Sequence, residues 1–208
     1  MNNVKVEALY FQSGFLTIQE EVYKEDDIYY RLDYPNLEVK KSFHNGLMEY
    51  ITQDYQINDD YQSELTGYLA NNNFKQFYDH LRIALEGKPY QWNLRSGDKS
   101  FFDYEYCYSF FLYASLYSKS LDIRVEQSSK AGRCDLVVLY AEQVFIFELK
   151  MAKNKDECEK MLDQAIDQIK TRGYGEPYKN RSQPVHLIAL VFGKEEKNII
   201  DGRHEMLT

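Results

Sequence analysis

Asp135, Glu148 and Lys150 are the residues of this 208-residue chain whose types and spacing point most directly to chemistry. They border two strongly apolar runs, Leu136-Val137-Val138-Leu139 and Val144-Phe145-Ile146-Phe147. An unpaired carboxylate beside a buried strand is costly, so its presence there needs a reason. The connection Tyr140-Ala141-Glu142-Gln143 is short. If it turns evenly between Ala141 and Glu142, paired positions sum to 283, and 135 + 148 = 283 sets Asp135 opposite Glu148. Opposite residues share a face, with Cβ atoms roughly 4.5–5.5 Å apart. Lys150, two positions on, projects from that face as well. An odd connection without a bulge would break the arrangement. Two converging carboxylates repel unless a cation lies between them. Lys150 offers part of that cation, and a hard divalent ion such as Mg2+ would offer more. On the residues alone two readings stay open: a structural Asp–Lys–Glu ion cluster, or a cation site.

The elements that would position these groups follow from periodicity. Residues 14–34 read as a hairpin ended by Pro35-Asn36, with Asn36 the N-cap of a helix carrying Val39, Phe43, Leu47 and Tyr50 at helical spacing. Two further helical patterns use Tyr61, Leu65, Tyr68 and Leu69, then Phe74, Phe77, Leu81 and Ile83, stopping at Gly87-Lys88-Pro89. After residue 100 the pattern predicts a helix over 103–118, strands over 121–126, 133–140 and 144–150, a helix over 156–172 and a strand over 185–192. That order, α-β-β-β-α-β, indicates an α/β domain with one mixed sheet flanked by helices. The second and third strands are apolar on both faces, as a sheet covered on both sides requires. The expected division is an appendage of hairpin plus helices over residues 1–95 and a sheet domain over 96–208.

Composition sets outer limits. With 44% hydrophobic and 28% charged residues, the chain reads as a soluble globular protein with a real core. No run approaches a membrane span, the N-terminus lacks a signal-peptide pattern, and three cysteines form no disulfide framework. A reduced, cytoplasmic protein is expected. The net charge of −8 argues against non-specific nucleic-acid binding, but it is unevenly distributed. Residues 1–100 carry 10 basic and 16 acidic side chains, and residues 101–208 carry 15 and 17, so the acidity lies mainly in the first half. The 19 tyrosines are scattered and read as core-and-rim packing.

Gly132-Arg133-Cys134-Asp135-Leu136-Val137-Val138, followed by Val144-Phe145-Ile146-Phe147-Glu148-Leu149-Lys150, resembles the PD-(D/E)xK nuclease superfamily. More narrowly, it resembles the domain that follows AAA-type ATPase-like domains in a group of bacterial proteins. Leu9-Tyr-Phe-Gln-Ser-Gly-Phe-Leu-Thr-Ile, Asp33-Tyr-Pro-Asn-Leu-Glu-Val, and residues 168–178 (QIKTRGYGEPY) match habits of that group. The resemblance implies a restriction-endonuclease-like core and a Mg2+ or Mn2+ cofactor. It implies that Asp135 and Glu148 bind the metal, with the Leu149 carbonyl a possible third ligand. Lys150 would orient the attacking water and offset charge in the transition state. Glu105 matches an acidic residue of the first core helix that serves as a further metal or water-mediated ligand; helix-dipole stabilisation is its other reading. Gln168 matches a polar residue of the following helix, with Gln164 one turn earlier. Two positions are set against the pattern: Ser109 stands where the group often has a histidine or other polar residue, and Cys134 replaces the proline of the superfamily's name.

These residues imply nucleic acid, with DNA the expected polymer, as the partner of a hydrolytic nuclease. The group's ATPase domain is expected in longer relatives. This sequence has no G-x-x-x-x-G-K-[ST] loop, so it reads as a shortened piece or a short relative. The alternative is a nuclease-like module for protein binding or regulation, favoured by the acidic first half. A winged-helix-like binder built on residues 14–53 is weaker, because basic residues are not clustered there.

Overall fold

The computed structural model describes residues 6–24, 27–52, 59–86, 105–117, 121–125, 128–129 and 132–207. It divides into two compact units, Met1–Leu47 and Met48–Thr208.

The first unit holds α1 (Val6–Gln12), the antiparallel hairpin β1 (Thr17–Lys24) and β2 (Asp27–Asp33), and the start of α2 (Leu37–Thr52). Asn36 caps α2 as its spacing predicts, its Oδ1 accepting the Val39 N–H at 2.9 Å. Edge-on contacts of Phe43 with Tyr10 and Phe15, at 5.4 and 6.0 Å between ring centroids, close a small aromatic core.

The second unit is built on five strands in the order β3 (Asp122–Val125), β6 (Leu136–Tyr140), β7 (Gln143–Ala152), β8 (Val185–Gly193) and β9 (Asn198–Met206). The β7–β8 pair is parallel and the others are antiparallel, so the sheet is mixed as expected. Two short strands, β4 (Ser128–Ser129) and β5 (Gly132–Arg133), pair separately before β6. Helix α6 (Cys158–Thr171) makes the parallel crossover and covers one face. There Leu162, Ala165, Ile166 and Ile169 pack on Val144 and Ile146 of β7 and Leu187, Ala189 and Val191 of β8. The other face receives α3 (Asp59–Ala70), α4 (Phe74–Glu86) and α5 (Glu105–Leu116). Its packing is aromatic: Phe77 lies 6.0 Å from Phe147 and Tyr108 lies 4.1 Å from Phe192.

Four features differ from the sequence-based expectation. Ile83 is 65% exposed, while Phe74, Phe77, Tyr78, Leu81, Ala84 and Leu85 form the buried stripe of α4. Nine residues past Phe74 is close to the opposite side of a 3.6-residue helix, so Ile83 falls off the core face. The expected strand over 133–140 is interrupted: Cys134 and Asp135 lie outside the ladder, between β5 and β6. β9 was not anticipated, because an edge strand mixing Asp201, Arg203, His204 and Glu205 with few apolar residues lacks a strand signature. Finally, α3 and α4 belong with the sheet. Arg82 of α4 donates to the Ile199 and Ile200 carbonyls of β9 at 3.1 and 3.0 Å, and Gln143 donates to Ala70 at the end of α3 at 3.1 Å. The expected boundary near residue 95 lies outside the described residues.

Candidate active site

The β6–β7 hairpin sets the site. Its pairs run from Tyr140↔Gln143 to Leu136↔Phe147, each summing to 283, as the even-turn argument requires. Ala141 and Glu142 both take positive φ, 49° and 60°, the type I′ geometry of a two-residue hairpin loop. In such a hairpin the odd-numbered residues of β7 direct N–H and C=O toward β6, and the even-numbered ones toward β8. The Val144 N–H accordingly bonds the Pro184 carbonyl on the β8 side, at 2.9 Å.

β6 begins at Leu136, whereas β7 continues to Ala152, so residues 148–152 extend past the last rung with β6. At the first position beyond that rung whose backbone faces β6, Asp135 substitutes for the missing strand. Its Oδ2 accepts the Leu149 N–H at 2.8 Å. A side chain thus takes over a ladder bond and is held in one orientation. By the same alternation the Leu149 carbonyl faces the Asp135 side of the strand rather than β8.

Glu148 and Lys150 share the opposite phase of β7, the phase of Val144 and Ile146, and therefore face α6. Glu148 is buried, its side chain 3% exposed. Lys150 is 20% exposed and its Nζ donates to Glu148 Oε1 at 2.7 Å. Lys150 also lines a groove of about 600 Å3 with Gln164, Asp167, Gln168, Thr171, Arg172 and Tyr174. Gln168 reaches the Tyr174 hydroxyl at 3.5 Å, a long contact. The structure thus links Asp135 to the Leu149 backbone, Glu148 to Lys150, and Lys150 to Gln168 through one groove. Glu105 opens α5, but its side chain lies outside the described part of the structure.

The opposite flank of α6 is neutralised internally. Arg203 of β9 pairs with Glu159 at 2.6 Å and with Asp163, and Lys170 pairs with Glu205 at 2.6 Å. Those carboxylates hold the Arg203 guanidinium above its ordinary pKa, the Asp163 hydrogen bond contributing most. Sequence reasoning missed the groove residues Asp167, Thr171, Arg172 and Tyr174. The available signal was the i, i+4, i+8 line of Gln164, Gln168 and Arg172 down one helix side.

Among the described residues no three His, Cys, Asp or Glu side chains gather at one point. The donors present are two carboxylates and a strand carbonyl. That set suits a hard divalent ion that keeps several waters and takes one or two protein carboxylates. It does not suit a soft metal, which would draw on thiolate or imidazole.

The model of the PD-(D/E)XK nuclease superfamily matches residues 103–202, from the start of α5 into β9. The match supports that superfamily for the sheet unit. Its fold is the PD-(D/E)XK fold: a mixed five-stranded sheet flanked by helices, with an N-terminal hairpin and helices added. The chain is also 28% identical over 201 residues, 96% of its length, to a protein of Azotobacter chroococcum mcd 1 described as an "Uncharacterized protein in vnfD 5'region". It spans 37% of that relative's length. No helix among the described residues is long and apolar enough to cross a membrane.

Proposed function

We propose that this protein is a divalent-metal-dependent nuclease that hydrolyses phosphodiester bonds of nucleic acid, with DNA the expected substrate. The observation that carries the reading is the overhang of β7, where buried Glu148 holds a half-buried Lys150 that lines a polar groove, and where the Leu149 N–H between them holds Asp135. Asp135, Glu148 and the Leu149 carbonyl would hold Mg2+ or Mn2+, with Glu105 a further ligand. Bound there, the ion would supply Lewis acidity and a water of lowered pKa.

The chain's own groups supply position and charge. The Leu149 N–H holds one Asp135 oxygen and so fixes the direction in which the carboxylate meets a ligand. Glu148 fixes the Lys150 ammonium, which is placed to hold the attacking water and to offset negative charge on the phosphoryl oxygens as the water oxygen bonds to phosphorus. The attacking water gives up its proton to solvent as its oxygen bonds to phosphorus, the P–O bond to the sugar breaks, and the leaving oxygen takes a proton from solvent. Gln168 contributes an amide to the same groove for orienting substrate or water.

Cys107, Cys134 and Cys158 are not joined in disulfides, which supports the cytoplasmic assignment. The resemblance alone leads us to expect an ATPase-like domain in longer members of the group. The net charge of −8 supports a second reading, a nuclease-like module that binds a partner without cutting. One assay separates the two. Single- and double-stranded DNA and RNA are incubated with the protein in Mg2+, Mn2+ or EDTA, beside Asp135→Ala and Lys150→Ala. Metal-dependent cleavage lost in both variants is expected. Cleavage surviving both would remove the site assignment, and no cleavage by the parent would favour the binding module.

A further inference from the structure

The groove extends beyond what a single reacting phosphate requires. Gln164, Gln168 and Arg172 follow one another at four-residue intervals along α6, each lining the groove. Four residues rise about 6 Å, so the line covers about 12 Å from Gln164 to Arg172. Because β7 and β8 are parallel, α6 runs back against β7. Lys150, two residues before the end of β7, therefore lies toward the first turns of α6, and Arg172 caps its last turn.

We propose that Arg172 binds a second phosphate of a nucleic-acid strand, one or more nucleotides from the bond at Lys150, making the groove a track for a polymer rather than a pocket for a phosphate ester. Arg172 is exposed and presents a planar fork of donors that matches phosphate oxygens two at a time. The neighbouring Thr171 cannot substitute for it, since its hydroxyl proton is given to the Asp167 carbonyl at 2.7 Å. Gln164 and Gln168 add neutral donors between the two cations. Asp167, the carboxylate lining the groove, opposes binding and limits affinity.

The kinetic part of this inference rests on the nuclease reading, and the binding part does not. The first measurement is equilibrium binding of a fluorescent single-stranded 12-mer, as DNA and as RNA, in EDTA across a salt series. Arg172→Ala should lower the slope of log affinity against log salt by about 0.7, one phosphate contact on a single strand. Arg172→Lys should restore most of it. Asp167→Asn should tighten binding about threefold. The second measurement compares hydrolysis of the 12-mer with that of bis(4-nitrophenyl) phosphate in Mn2+. Arg172→Ala should lower the ratio of their kcat/KM values about tenfold, with the change in KM for the 12-mer. An unchanged salt slope, or no binding of either 12-mer, overturns the proposal. So does an equal loss on both substrates, which would place Arg172 at the reacting phosphate or in the fold. If the parent hydrolyses neither substrate, the nuclease reading fails, and the salt slope still decides the role of Arg172.

Discussion

The two faces of the central sheet both bury polar side chains, but they dispose of them in opposite ways. On the α3–α4 face, Gln143, His186 and His204 form a closed chain across β7, β8 and β9. The Gln143 amide donates to the Ala70 carbonyl, so its oxygen accepts from His186 Nε2 at 2.8 Å. In the neutral ring His186 Nδ1 is then the acceptor, facing His204 Nε2 at 2.9 Å. Phe145 stacks on His186 and Phe74 on His204. Every step ends within the protein. On the α6 face the polar groups are ionisable, buried Glu148 and half-buried Lys150, and Lys150 opens onto a groove. Both polar sets lie in sheet otherwise filled with apolar side chains. A chain that closes on itself specifies packing, whereas one that stays charged and open to solvent is equipped for a ligand.

The α6 face should break through chemistry rather than folding. Lys150→Met is expected to lower metal-dependent cleavage by about 10^3, the scale of one lost charge-stabilising group. It should retain the rise in Tm on adding Mn2+, because the carboxylates remain. Glu148→Gln should lose both cleavage and the Mn2+-dependent rise in Tm, which in the parent reflects a stabilisation of about 2.7 kcal/mol at a hundredfold excess over Kd. Calorimetry with and without Mn2+ measures this. A Glu148→Gln protein still stabilised by Mn2+ would move the cation elsewhere.

The α3–α4 face should break through folding rather than chemistry, and acid is the means. Burial, then the neighbouring His204, hold the His186 pKa down to about 4 from 6.5. Between those values the unfolded chain takes up a proton that the folded protein refuses, so stability falls as pH drops from 6.5 and levels off below about 4. The loss is about 3 kcal/mol for this residue, which is 2% exposed. His44 in the first unit is also lowered to about 4, by burial and then Lys40, and adds the same sign to its own unit. The informative measurement is therefore a difference. His186→Leu should cost about 2 kcal/mol at pH 7.5, by leaving its partners unsatisfied, and should flatten denaturation midpoints between pH 6.5 and 4.5 relative to the parent. An unflattened profile would assign the acid sensitivity to other groups.

The α6 face was more legible than the α3–α4 face. Asp135, Glu148 and Lys150 stood out because charge beside apolar strands is expensive; the register sum of 283 holds along the ladder as far as Leu136↔Phe147 and stops one pair short of Asp135 and Glu148. The buried His186 gave no such signal, since one histidine among Val185, Leu187 and Ile188 reveals nothing about the partner at 204. β9 was hidden for a related reason. An edge strand needs little hydrophobic content of its own when β8 and α4 provide it. The break at Cys134 and Asp135 was also illegible, because an apolar run does not show where backbone pairing gives way to a side-chain hydrogen bond. Arg172 could have been found from the periodicity of α6, but exposed glutamines and arginines on helices are too common to single out.

Both faces depend on one turn. A one-residue slip of β6 against β7 would move each strand's side chains to the other face, placing Glu148 among the phenylalanines. Register is held by Ala141 and Glu142, two L-residues at positive φ, where asparagine and glycine are favoured. This is why the sequence lacks the usual hairpin dipeptide although the turn forms. Left-handed backbone costs roughly 1 kcal/mol or more for such residues, offset here by strands that are almost wholly buried. The double substitution Ala141→Asn with Glu142→Gly should therefore raise the unfolding free energy by about 1 kcal/mol, less the added chain entropy of glycine. Urea denaturation would measure it, with the slope of the transition unchanged. Cleavage per molecule should stay at the parental rate, because the register already sums to 283. A gain in activity along with stability would mean that the parent samples slipped pairings, and the separation of the two faces would then be a matter of population rather than of structure.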